Sequence, residues 1–82
     1  MLELINEPID VLVSFVGNKV SPKRMHWAGK DYDIKTINLV HSAHEGMKRV
    51  FYFSVSDFSN YFKLRLDTDS LEWSLVELYT DG

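Results

Sequence analysis

Between residues 50 and 79, apolar side chains recur at every second position in three successive segments separated by turn-forming residues. "VFYFSV" places Phe51, Phe53 and Val55 on one face, "YFKLRL" places Phe62, Leu64 and Leu66, and "LEWSL" places Leu71, Trp73 and Leu75. A period of two is the repeat of a β-strand with one buried face, whereas a helix repeats near 3.6. Such a face commits the chain to antiparallel sheet, because a one-residue slip would turn every apolar side chain to water. The stretch 67–70, Asp-Thr-Asp-Ser, has turn composition. Turning there opposes Leu66 to Leu71, Leu64 to Trp73 and Phe62 to Leu75, with Arg65 facing Glu72 on the other side. A longer turn over 56–61 opposes Val55 to Phe62, Phe53 to Leu64 and Phe51 to Leu66.

The first half also reads as strands. "PIDVLVSFV" alternates through Ile9, Val11, Val13 and Phe15, and Pro8 suits the first residue of a strand. Gly17-Asn18 fits a two-residue hairpin turn. Strict pairing from it would set Val11 against Arg24, so a bulge at Pro22 is expected, which restores Val11 to Met25 and Ile9 to Trp27. In "MHWAGKDYDI" a type II′ turn at Gly29-Lys30 sets Trp27 against Tyr32, Met25 against Ile34 and His26 against Asp33. A second bulge is expected near Lys35-Thr36, and 41–49 reads as a long, polar, mobile hairpin loop. The expected architecture is all-β: about six antiparallel strands in a bent meander forming a partly closed barrel. Residues 1–7 are expected as an N-terminal arm, 8–79 as a single β domain and 80–82 as a C-terminal tail.

Eighty-two residues suffice for one small core. The chain has no cysteine, hence no disulfide, thiol nucleophile or thiolate metal site. Its start has no basic segment followed by an apolar run, and no apolar run approaches the ~20 residues of a membrane-spanning helix. A cytoplasmic protein without a membrane partner is the expectation. The net charge of −3 is unevenly spread. Residues 17–50 carry seven Lys/Arg against three acids, while both ends are acidic. That asymmetry fits an anionic partner, and equally fits attraction between the parts of the chain.

Chemistry-bearing constellations are sparse. His41, His44 and Glu45, with His26 in reach, lack the His-Glu-x-x-His order of a helical zinc site, so no metal or other cofactor is expected. Asp31/Asp33 and Asp67/Asp69 sit where turns use aspartate for backbone bonds. His26 opposite Asp33 could orient a general base, but no nucleophile accompanies it. No catalytic residue is assigned, and an enzyme ranks third among the readings. A candidate binding surface comprises Lys23, Arg24, His26, Lys48, Arg49, Tyr52, Lys63 and Arg65, a basic set with an aromatic platform of the kind that single-stranded nucleic acid uses.

Pro22, "WAGKDY" at 27–32, "VFYFSV" and "LEWSLVELY" together resemble a family of small bacterial domains of unknown function. Those domains carry a Trp-x-Gly-(Arg/Lys)-x-Tyr-x-(Val/Ile) element, matched here by Trp27, Gly29, Lys30, Tyr32 and Ile34. A Tyr/Phe-rich strand and a closing strand with a tryptophan, here Trp73, follow. The resemblance covers 8–79, and it implies no catalytic residue. Some such domains accompany or resemble the tail of translesion-polymerase-like proteins, which implies a DNA-repair accessory role for those members. This chain has "NLVHSAHEGMKR" in place of their tryptophan-rich middle stretch. Two functions are therefore expected in order. The first is a noncatalytic adaptor or self-associating module, including a homodimer, that uses an edge strand or the 41–49 segment. The second is a nucleic-acid-binding accessory domain.

Overall fold

The structure, a computed structural model, describes residues 1–80. Its strands are β1 (Leu2–Val16), β2 (Lys19–Trp27), β3 (Lys30–Asp33), β4 (Thr36–Glu45), β5 (Lys48–Ser56), β6 (Asn60–Asp67) and β7 (Trp73–Thr80). There is no helix among the described residues. All pairs are antiparallel, and the strands form one curled sheet in the order β3-β2-β1-β7-β6-β5-β4. Residues 2–4, expected in an arm, pair with Tyr79, Leu78 and Glu77. Of the expected tail, Thr80 ends β7, and residues 81–82 lie outside the described residues.

Alternation builds the core. Met25, Leu64 and Leu75 are wholly buried, with Phe53, Val55 and Phe62 nearly so. Burial of each such side chain stabilises the fold by roughly 1.5–3 kcal/mol. The β5–β6 register is the one expected, with Val55 facing Phe62, Phe53 facing Leu64 and Phe51 facing Leu66. The β6–β7 register differs by two residues, setting Leu66 against Trp73 and Leu64 against Leu75. Asp67 is the cause. Its Oδ1 accepts the N–H groups of Asp69 (2.9 Å) and Ser70 (3.2 Å), and its carbonyl accepts that of Leu71 (2.8 Å). This longer turn takes in Leu71, at φ 62, and expels its side chain. A two-residue slip keeps the same face inward, so Trp73 remains in the core, its ring 5.2 Å from that of Phe53.

The second hairpin is likewise offset by two. Trp27 faces Lys30, His26 faces Asp31, and Met25 faces Tyr32. The turn is Ala28-Gly29, with φ 53 and φ 76, the all-positive pattern of type I′. Trp27 and Tyr32 still touch diagonally, their rings 6.2 Å apart. Beside Pro22 the expected bulge is present, with Val11 facing Met25 and Lys23 as the extra residue. The next bulge falls at Asn38 rather than at Lys35-Thr36. Further irregularities lie at Asn6 and Val76, and all of them bend the sheet. The expected loop at 41–49 is instead strand almost throughout. β4 runs to Glu45, β5 starts at Lys48, and only Gly46-Met47 turn between them, with Gly46 at φ 66.

Candidate functional site

β3 and β4 point the same way and are joined by Ile34 and Lys35 alone, yet they occupy opposite ends of the sheet. They act as one line that changes partner. The Ile34 N–H donates to the Lys23 carbonyl on β2, and the Lys35 N–H donates to the Ser56 carbonyl on β5, both at 2.9 Å. These two bonds draw the sheet edges together and close the barrel at that end.

Beyond this clasp the edges part. β2 pairs with β3 only from Arg24 to Trp27, and β4 pairs only with β5. Pro22 has no N–H to offer, and the bulges at Lys23 and Asn38 turn both strands out of register. Residues 19–22 of β2 and 39–45 of β4 thus face a seam with no strand between them. Within the seam lies a cavity of about 410 Å³ lined by Phe15, Val20, Val40, Phe51, Phe53, Leu66 and Leu71 on its apolar side, and by Asn18, Lys19 and Thr68 on its polar side. That size falls in the ~300–1,000 Å³ range of ligand pockets. Phe15, Val40 and Leu71 expose 68%, 46% and 73% of their surface there, so the barrel's apolar interior reaches water at the seam.

The residues that sequence singles out fall into three places. Lys48, Tyr52, Lys63 and Arg65 share the outer face of β5 and β6. Lys48 Nζ lies 2.9 Å from Asp67 Oδ2, and Arg65 Nη2 lies 2.5 Å from Glu45 Oε1. The Tyr52 hydroxyl donates to Glu45 Oε2 at 2.6 Å. The donors on Arg65 and Tyr52 hold the Glu45 carboxyl below its ordinary range, and the Glu45 acceptor raises the Tyr52 phenol. Lys48, aided by the Ser70 and Asp69 backbone N–H groups, pulls Asp67 down to about 2. The His41 ring stacks on Tyr52 at 5.2 Å, and Lys63 Nζ sits 5.0 Å from the centre of the Tyr52 ring. Lys23, Arg24 and His26 lie apart on β2, where Arg24 pairs with Asp33 and His26 with Asp31, both at 2.7 Å. Arg49 lies on the inward side of β5, over the Phe51 ring at 5.3 Å, with Nη2 donating to Ser42 Oγ at 3.5 Å. The eight residues are therefore not one patch.

His41 and His44, three apart in a strand, point to opposite faces. Among the described residues no three His, Asp or Glu side chains gather as metal ligands would. Val40, Leu71, Lys19 and Phe15 line the seam but were not legible as a site. Reading 41–49 as a loop hid the β4 edge, and pairing Leu66 with Leu71 placed Leu71 in the core. The only available hint was the apolar pair Leu39-Val40 running into the His/Ser/Ala stretch.

No protein-family model matches the chain, and no curated protein or solved structure matches it significantly. No helix among the described residues is long and apolar enough to cross a membrane.

Proposed function

We propose that the domain is a noncatalytic protein-binding module that accepts an extended segment of a partner as an added strand along β4. One observation carries this reading: an unpaired strand edge and an open apolar cavity coincide at the seam. An added strand would satisfy the outward N–H and C=O groups of β4 and send alternate side chains into the cavity, as in other strand-addition complexes. Exposed edges are ordinarily blunted by lysine or proline, and residues 39–45 contain neither. Leu71 adds support, since a leucine held at positive φ and turned outward is strained, and strain of that kind gathers at binding sites. Lys19 is the sole ionisable side chain lining the cavity, which gives enzymatic chemistry no support. The nucleic-acid reading draws less support, because Arg24, Lys48 and Arg65 already have carboxylate partners and His41 and Lys63 cover Tyr52.

The test is a titration with seven-residue peptides in which valine alternates with serine, against analogues N-methylated at every second amide. Saturable binding that N-methylation abolishes supports strand addition. Equal affinity for both, or none for either, overturns it.

A further inference from the structure

Building on the strand-addition reading, we infer that the seam selects an acidic segment, one in which apolar residues alternate with aspartate or glutamate. The lining shows what the occupant must supply. Seven of its ten residues are apolar, none is acidic, and Lys19 stands at the rim. Arg49 lies over Phe51, itself a lining residue, and His44 faces Arg49 from β4 on the same side of the sheet.

Arg24, Lys48 and Arg65 each lie within 2.9 Å of a carboxylate. Lys19 and Arg49 have no carboxylate within 4.0 Å among the described residues, and both are exposed. Lys23, Lys30, Lys35 and Lys63 likewise have no carboxylate within 4.0 Å among the described residues, so what sets Lys19 and Arg49 apart is their place at the cavity, whose lining holds no acid.

A strand lying beside β4 sends one set of side chains into the cavity and the other set outward. The inward set must be apolar to fill the space between Val20, Val40 and Leu66. Carboxylates on the outer set come within reach of the flexible Lys19 side chain, and one at the end of the inward set within reach of Arg49. A basic segment would bring like charges together there, and that repulsion excludes it.

The experiment uses fluorescently labelled seven-residue peptides alternating valine with glutamate, with serine or with lysine. Each is titrated against the full chain and against a Lys19→Glu/Arg49→Glu variant, at low and high salt. The inference expects the glutamate peptide to bind about tenfold more tightly than the lysine peptide, with serine between them. The order should invert in the double variant, and the gap should shrink at high salt. Circular dichroism confirms that the double variant is folded, and either single variant serves if it is not. Equal affinity for the three peptides, or preference for lysine, overturns the acidic selection while leaving strand addition standing. Failure of all three to bind overturns both.

Discussion

Lys48 at the start of β5 and Asp67 at the end of β6 are joined by a 2.9 Å ion pair, on a carboxylate that also receives two backbone N–H groups. Asp67 thereby ties the β4–β5 end of the sheet to the turn that carries Leu71 into the seam. It also sets the β6–β7 register, because its backbone and side chain together define the five-residue turn.

A pH dependence follows from that carboxylate. Its pKa is lowered in the folded state from 3.8 to about 2, so the unfolded chain holds the proton more tightly. The stabilisation is present in full above pH about 4 and is lost as pH falls through about 2. Urea denaturation of the parent and of Asp67→Asn should show a clear gap in midpoint at pH 7 that narrows between pH 4 and 2. A gap independent of pH would remove Asp67 from this role.

Trp73 tests the core. Its ring packs on Phe53, and its backbone faces Leu66 and Ile9. Trp73→Ala should cost about 3–5 kcal/mol, a large share of the stability of so small a domain. Calorimetry that finds the parent's melting temperature in this variant contradicts the burial of Trp73 in the core.

The Ala28-Gly29 turn holds an alanine at φ 53, a conformation costing an L-residue about 1–2 kcal/mol. Asn-Gly is the preferred type I′ pair. Ala28→Asn should therefore raise stability by about 1 kcal/mol, read as a higher denaturation midpoint. A lower midpoint would indicate a different turn.

Leu71 should separate stability from binding. It is strained at φ 62 and is 73% exposed, so its side chain gives the fold little. Leu71→Asn should leave the denaturation midpoint unchanged or higher while weakening the capture of an alternating peptide severalfold. Unchanged affinity would take Leu71 out of the site.

Much of the fold was legible because alternation fixes which face is buried. Phe53, Leu64, Met25 and Trp73 were assigned inward, and both offset registers slipped by two residues, a change to which the pattern is blind. Backbone chemistry decided those registers: the bonds Asp67 accepts in one case, the all-positive turn in the other. The seam was hidden for a related reason. His41, Ser42, Ala43 and His44 carry no apolar alternation, because their strand is an exposed edge with few side chains to bury. Alternation placed Tyr52, Lys63 and Arg65 on one outer face, as the structure does, whereas Lys23, Arg24, Lys48 and Arg49 joined them by charge, and carboxylates distant in sequence, Glu45 for Arg65 and Asp67 for Lys48, neutralise part of the set.

The central claim is that β4 offers an open edge to an added strand, and amide hydrogen exchange followed by NMR tests it most directly. In the free protein, backbone amides of 39–45 that point away from β5 should exchange quickly, while those of β6, paired on both sides, are protected. Saturation with the valine–glutamate peptide should slow alternate amides of 39–45 and leave Lys63 and Arg65 unchanged. Protection confined to the Tyr52–Lys63–Arg65 face, or no change along 39–45 in the saturated complex, would contradict the account.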